Sequence, residues 1–485
     1  MNVGGADLLI LAAYLAAVVA LGLWIGRGLR TVSDFMVGDR NLPWWLILVS
    51  IVATETSTVT FLSIPGFAWS RDLTWLQIPL GFLLGRFAVA FFLLPQYFRG
   101  SIYTAYEVLH QRFGGATKQA ASALFIVTRS LADGLRLFLT AIVLQEMTGI
   151  PMHWAVVALG SATILYCALG GMRAVLWTDL MQFVVYIGGA LVAFWLLLDR
   201  LPGGWSQMVD MGEAAGKLRI FDLTLDWSEP YGLWAGLVGG IFITLGSHGV
   251  DQLMVQRYLC ARGLPQARRA LWVGGFVVLA QFALFLLIGV GLWCFYQLFP
   301  PEAAFDRPDR VFAHFILREM PVGVVGLLLG AIFAAAMSTL SSSLNSCATA
   351  AANDLYFPLL GERAGEERRK LRVTRWLTVF FGVVQIGVGI GGQWLKGTVV
   401  SSVLGIAAFT TGIVLGVFFL GLYAPRVGQR AALAGLLVGL ASMTAIFFLT
   451  PLAWPWYALV GSLSTFAAGF VASYLWPRHQ RSERW

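Results

Sequence analysis

Charge is scarce in this 485-residue sequence: Asp, Glu, Lys and Arg make up 12% of it, while 58% of the residues are hydrophobic. A soluble domain usually carries about 25% charged residues. The apolar excess must therefore face something other than water, which places the chain in the integral membrane class. Cysteine is scarce too. Cys167, Cys260, Cys294 and Cys347 lie far apart in or beside apolar runs. With no CxxC pair and no Cys/His cluster, neither a metal site nor a disulfide framework is indicated. Walker, HExxH and GxSxG motifs are absent, so no ATP-hydrolysing or hydrolase chemistry is encoded by them. Long polar stretches are missing as well. Segments 200–231, 299–319 and 354–372 are the longest outside the apolar runs, and none is long enough to bury a core of its own. A soluble catalytic or signalling domain is excluded, and any uphill transport must draw on an ion gradient.

What the chain does have is a succession of apolar runs. A membrane-spanning helix needs about 20 such residues. Runs of that kind occupy 7–26, 44–69, 74–97, 119–147, 152–171, 176–199, 232–256, 271–298, 320–353, 373–394, 398–424, 431–450 and 454–476. The first has no basic stretch before it and is too long for a signal-peptide core, so it is expected to be a retained helix. Of the 33 basic residues, 22 fall on alternate connections and the tail, with Arg257, Arg262, Arg268 and Arg269 sharing one connection, against eight on the other side. The positive-inside rule then puts the N-terminus outside and the C-terminus in the cytoplasm, as thirteen spans require. The net charge of +8 is explained by the membrane surface without nucleic acid. Arg86, Arg129 and Arg136 remain inside apparent spans. Such residues face a bundle interior or a water-filled path, and Arg86 reads as one half of a structural pair.

Two runs contain breakers. Residues 53–60 hold Glu55, Ser57 and the threonines 54, 56, 58 and 60, and Pro65 follows. Hydroxyls compete for backbone hydrogen bonds, and irregular backbone survives in a bilayer only where it is buried in protein or lines a cavity. The bland reading is a kinked helix with satisfied hydroxyls, which Glu55 in mid-span weakens. Run 232–256 repeats the pattern with Gly246, Ser247, His248, Gly249, Asp251 and Gln252. His248 alone would read as a satisfied structural histidine. Two interrupted segments five spans apart are the mark of inverted-repeat transporters, which hold substrate at the midplane between them. In run 320–353, Ser338, Ser341 and Ser342 are spaced i, i+3 and i+4 and share one helix face, with Thr339 beside them. Neutral oxygens suit a hard cation, by analogy with calcium and magnesium sites. Close packing of small residues is the alternative, and spacing alone leaves both open.

Nearly the whole chain resembles the sodium/solute symporters, a family that includes the sodium/glucose, sodium/proline and sialic-acid symporters. The resemblance is carried by Thr104-Ala-Tyr-Glu-Val-Leu-His-Gln-Arg-Phe-Gly114, by Gly170-Gly171 with Val175-Leu-Trp-Thr-Asp179, by Val255-Gln-Arg-Tyr-Leu259, and by the run from Ala331 to Ser346. It implies an all-α integral membrane protein of the leucine-transporter fold. It also implies sodium as the coupling ion, one or two per cycle, with no organic cofactor. By resemblance, a first sodium site uses the carbonyls of Ala53, Thr56 and Ala335 with the hydroxyls of Ser338 and Thr339. The groups matching a second site are Asp179, Ser338, Ser341 and Ser342. Substrate candidates are Glu55, Ser57, Thr60, Gln77, Asp133, His248, Asp251, Gln252, Thr410 and Thr411. Sialic-acid symporters place an arginine where this chain has Ala132, with Arg129 and Arg136 one turn to either side.

The expected architecture is a peripheral helix and loop (1–43), a first five-helix repeat (44–199), an extracellular loop (200–231), a second, inverted repeat (232–424) and two further helices with a tail (425–485). The expected activity is sodium-coupled import of a small polar solute across the plasma (inner) membrane by a monomer. Acids at 55, 133 and 251 favour a sugar or polyol, with amino acids and monocarboxylates as alternatives. A proton-coupled transporter relaying through those acids and a non-transporting solute sensor are the rival readings.

Overall fold

A computed structural model describes residues 3–301, 305, 307–361, 366–394 and 399–476. Arg363, Lys396, Arg478, Arg481 and Arg484 of the basic tally lie outside that set. The described chain is helical, in the order α1 (Gly5–Gly26), α2 (Val32–Val37), α3 (Trp44–Glu55), α4 (Thr58–Ser70), α5 (Gln77–Ala88), α6 (Glu107–Phe113), α7 (Gly115–Thr148), α8 (Met152–Arg200), α9 (Gly204–Ala214) and α10 (Gly240–Gly249). Then follow α11 (Gln252–Leu259), α12 (Leu264–Leu298), α13 (Asp309–Glu319), α14 (Val324–Ala350), α15 (Phe357–Leu360), α16 (Glu367–Gly391), α17 (Val399–Tyr423), α18 (Gln429–Leu449) and α19 (Tyr457–Leu475). The described parts of the expected runs lie largely on these helices. By length and apolarity alone, eight helices among the described residues can cross a membrane, or nine with the bent pair α3–α4 counted as one. That criterion is narrower than thirteen for physical reasons. Helix α7 carries Lys118, Arg129, Asp133, Arg136 and Glu146, α8 merges two expected runs, and the α10 region enters only as a shorter apolar helix.

Helix α8 is two arms. Gly171 interrupts it at φ 53°, ψ −156°. A Cβ there would sit 2.8 Å from the Phe35 carbonyl oxygen, so only glycine meets both the torsion and the close approach. The Tyr166 hydroxyl donates to the Met337 carbonyl at 3.4 Å, and Asp179 accepts from Ser338 at 2.8 Å. A straight helix would separate positions 166 and 179 by about 20 Å, yet both reach neighbouring residues of α14. The chain folds back at Gly171.

Helix α14 is the centre of the bundle. It is buried at nearly every position from Val325 to Ala350, as expected for a helix apolar or small all round, and it packs on α8, α7, α1 and α16. Its N-terminus is fixed by the peripheral helix. Asp7 of α1 accepts from the backbone N–H of Gly323 at 2.7 Å and of Gly326 at 2.8 Å. A carboxylate there satisfies orphan donors and faces the positive end of the helix dipole. The helix that carries the hydroxyls is thus anchored at its N-terminal end.

Candidate functional site

Helix α3 ends because its hydroxyls offer the backbone other partners. Thr56 and Ser57 are extended (φ/ψ −93°/109° and −101°/169°), and the chain bends by 59° between α3 and α4. The Ser57 N–H turns to the Thr60 hydroxyl at 3.4 Å, which leaves the Ala53 carbonyl without its helical partner four residues on. The Thr56 hydroxyl donates to the Val52 carbonyl at 3.1 Å and accepts from Gln281 at 2.5 Å. Carbonyls at the end of a helix carry partial negative charge, so the break presents oxygens suited to a cation.

The hydroxyl face of α14 divides between two places. The Thr339 hydroxyl meets the break, with long contacts to the Thr54 carbonyl (3.4 Å) and the Ala335 carbonyl (3.3 Å). Thr58, across the break, donates to the Ile332 carbonyl at 3.2 Å. Ser338 turns to Asp179, donating to Oδ1 at 2.8 Å. Ser341 and Ser342 donate back to the Ser338 carbonyl at 3.0 and 2.8 Å, and the Ser342 hydroxyl also lies 3.0 Å from that of Thr54.

The cluster around Asp179 contains a residue that charge counting assigned to a cytoplasmic connection. Arg257 is 1% exposed. Its Nε donates to the Ser50 hydroxyl at 2.9 Å, and its Nη2 donates to the Thr54 hydroxyl at 2.6 Å and to the Ser342 hydroxyl. Asp179 Oδ2 accepts from Ser50 and lies 3.5 Å from Arg257 Nη2. Arg257 therefore leaves the loop tally. It sits at the end of α11, where packing against α3 and α14 covers it.

The three acids chosen as substrate candidates are each paired. Glu55 receives Arg86 Nη2 at 2.5 and 2.6 Å and lies 3.0 Å from His248 Nε2, and the Ser247 hydroxyl meets His248 Nδ1 at 2.9 Å. Arg86 is thus the structural partner expected, and His248 joins the same pair. Asp251 caps α11 through the Leu253 N–H at 2.8 Å and pairs with Arg129. Asp133 takes Arg136 at 2.7 Å and Arg129 at 3.6 Å. Each of these carboxylates already has a basic partner, and Asp251 and Asp133 each also line a cavity.

Two cavities flank this row. One is lined by Thr128, Arg129, Asp251, Thr410 and Thr411 among others. The other brings together Ser57, Thr58, Asp133, Arg136, Thr140 and Thr339. Gln77 and Gln252 line neither. Gln77 donates to the Tyr231 and Thr74 carbonyls at 2.7 and 3.2 Å and accepts from the Asp222 N–H at 3.1 Å. Asp222 itself is held below the usual carboxylate range by hydrogen bonds from Thr224. Gln252 accepts from the Ala105 N–H at 2.7 Å and donates to the Tyr103 carbonyl at 3.2 Å. Both amides tie backbone segments together, a common fate for a buried polar side chain. Ser50, Thr54, Arg257 and Thr140 were missed. The i, i+4 spacing of Ser50 and Thr54 was the one available signal that they share a face.

A helical bundle with a broken helix beside a buried hydroxyl face, and with paired charges in its interior, is the architecture of a secondary transporter. The sodium:solute symporter family model matches residues 35–439, and the chain belongs to that family. It is 30% identical to the human sodium/iodide cotransporter over 90% of this chain and 69% of that protein. It is 27% identical to the sodium/sialic acid symporter SiaT of Proteus mirabilis (strain HI4320), over 96% and 94%. A solved substrate-bound, outward-open structure of a Na+-coupled sialic acid symporter superposes with a TM-score of 0.90 at 28% identity, covering 97% of this chain and 98% of that one. Mhp1, a nucleobase-cation-symport-1 family transporter in a closed conformation, shares the fold at a TM-score of 0.57 and 15% identity, over 91% and 94%. The fold is that of the leucine-transporter class. The protein is a multi-pass, sodium-coupled solute symporter, and its family is one of transporters, not enzymes.

Proposed function

We propose that the protein imports a small anionic organic solute with sodium by alternating access, with the solute held in the cavity beside Arg136 and Thr339. The observation that carries this reading is the position of Arg136. Its side chain is 22% exposed and lines a cavity together with the hydroxyl-bearing Ser57, Thr58, Thr140 and Thr339 and with its partner Asp133, which is shared with Arg129. A guanidinium with donors left for a ligand suits a carboxylate. Neutral hydroxyls of Ser57, Thr58 and Thr140 suit the rest of a small polar molecule. The names of the relatives, iodide, sialic acid and monocarboxylate transporters, agree with an anion. This replaces the sugar or polyol favoured from the three acids.

The sodium ion is assigned to the break, between the carbonyls of Ala53, Thr56 and Ala335 and the hydroxyls of Ser338 and Thr339. In support, Ser338 gives its proton to Asp179 and so keeps oxygen lone pairs for a cation. Thr339 borders both the break and the solute cavity, so each ligand orders the other's site and the two strengthen one another's binding. Thermal unfolding with monocarboxylates, acidic sugars, neutral sugars, polyols and amino acids, in sodium or choline chloride at fixed pH, tests the reading. An anionic solute should raise the Tm more in sodium than in choline. The largest sodium-dependent rise from a neutral sugar or polyol would overturn the anion assignment. Equal rises in both salts would overturn the shared sodium and solute site.

A further inference from the structure

We propose that Arg136, Asp133, Arg129 and Asp251 form a relay of exchanging ion pairs, through which a solute carboxylate at Arg136 releases Asp251 and opens the second cavity. The trigger rests on the anionic solute placed at Arg136 above. The wiring rests on the four side chains themselves.

Residues 129, 133 and 136 of α7 are spaced i, i+4 and i+7 and share one face, over about 10 Å of helix. Asp133 and Arg136 line the solute cavity, whereas Arg129 and Asp251 line the other one. The row therefore passes from one cavity to the other, and its links are unequal. Asp133 Oδ1 accepts from Arg136 Nη1 at 2.7 Å. Asp133 Oδ2 accepts no hydrogen bond among the described residues and lies 3.6 Å from Arg129 Nη1. Arg129 gives its Nη2 to Asp251 Oδ2 instead. Asp133 is thus bonded to one arginine and poised beside the other. A shift of less than about 1 Å would bring its second oxygen to the length of a charged hydrogen bond.

Two guanidiniums and two carboxylates balance in this row. A solute carboxylate that takes Arg136 makes three acids for two bases. A buried carboxylate without a partner is strongly unfavourable, so the surplus settles on the acid best able to stand without a guanidinium. Among the described residues Asp133 has only the two arginines. Asp251 has a further donor: its Oδ1 accepts from the Leu253 N–H at 2.8 Å at the start of α11, where the helix dipole favours negative charge. Asp133 then turns to Arg129, and Arg129 lets go of Asp251. The ion pair that ties α7 to the second helix break is lost, and the cavity it braced opens.

The relay can be triggered without a solute, because removing Arg136 frees Asp133 in the same way. Val414 lines the second cavity and is 4% exposed, and the four native cysteines are buried. In purified full-length Val414→Cys, in sodium chloride with no solute, N-ethylmaleimide should react slowly, since labelling follows local opening. The parent chain with Val414 in place reports any labelling of native cysteines. Arg136→Gln on the Val414→Cys background should raise the rate about fivefold or more. Adding Asp133→Asn, which cannot draw Arg129 from Asp251, should cancel the rise. An unchanged rate in Arg136→Gln, or a rise that survives Asp133→Asn, would overturn the relay. If Arg136→Gln is not monodisperse, Asp133→Glu decides. One methylene more lets the carboxylate reach Arg129 with every charge kept, so labelling should rise, and an unchanged rate overturns the proposal. The anion reading fails separately: lactate and sialic acid that leave the wild-type Tm unchanged in sodium would reject it, while the variant rates still decide the relay.

Discussion

Ser338 donates to Asp179 at 2.8 Å across 159 positions of sequence. Its neighbour Thr339 faces the other way, to the Thr54 carbonyl at 3.4 Å. Consecutive residues on one helix thus hydrogen-bond in two polar clusters, because successive side chains are about 100° apart around the axis, and Ser338 is also a proposed ligand of the ion at the break. The hinge between the clusters is Thr54, whose carbonyl meets Thr339 and whose hydroxyl meets Ser342 and Arg257.

Thr339→Ala removes one proposed sodium ligand and leaves the Asp179 cluster intact. The half-saturating sodium concentration should rise about tenfold, equivalent to about 1.4 kcal/mol. Stability should fall by less than about 1 kcal/mol, because the hydrogen bonds lost are long, at 3.3 and 3.4 Å. Sodium titration and thermal unfolding of one preparation separate the two effects. A normal sodium response would count against the ligand set.

Arg86 is fully buried against Glu55, so either partner alone is costly to lose. Glu55→Gln and Arg86→Met should each destabilise by about 3–5 kcal/mol. The double variant should recover part of that loss through a coupling energy of about 1–3 kcal/mol. Unfolding measurements on all four proteins close the cycle. Additive losses would show that the pair does not act as a unit.

Arg136→Gln tests the solute site apart from the ion site. Losing a charged hydrogen bond to an anion is worth about 1.5–3 kcal/mol, or about 10- to 100-fold in solute affinity. Sodium binding in the absence of solute should stay near the wild-type value. Unchanged solute affinity would move the solute out of this cavity.

Gly171→Ala forces an L side chain to φ 53° with its Cβ 2.8 Å from a backbone oxygen. The expected loss is about 2 kcal/mol or more, seen as a lower Tm and poorer monodisperse yield. Gly188 is the control. A Cβ added there would meet nothing within 4 Å, and Ala at that position should be neutral or gain up to about 1 kcal/mol. Equal behaviour of the two variants would refute the fold-back at Gly171.

Both helix breaks could be read in advance because hydroxyls, glycines and acids stand out inside apolar runs, and their backbone effects are local. Gln77 and Gln252 stand out for the same reason, yet neither lines either of the two cavities described above. An amide in an apolar run has the same sequence signature whether it faces a cavity or ties two backbone segments together. The three acids show a different limit. Each was rightly placed in the interior, but Glu55 meets Arg86, Asp133 meets Arg129 and Arg136, and Asp251 meets Arg129. Asp251 and Arg129 lie 122 positions apart, so no local pattern announces their pairing. Arg257 was hidden by its position. It follows an apolar run and precedes Arg262 and Arg268, as a loop residue would, and only the packing of α11 on α3 and α14 buries it.

The sequence by itself determined the membrane class, the helical runs and their interruptions, and the family. Each of these follows from properties summed along the chain: apolar length, charge placement and local competition for the backbone. Tertiary structure alone decided which interior charges neutralise one another, which hydroxyls face the break and which face Asp179, and that Arg257 is buried beside Asp179. Those outcomes depend on distances of about 3 Å between residues far apart in sequence, where a hydrogen bond or ion pair forms or fails within a fraction of an ångström.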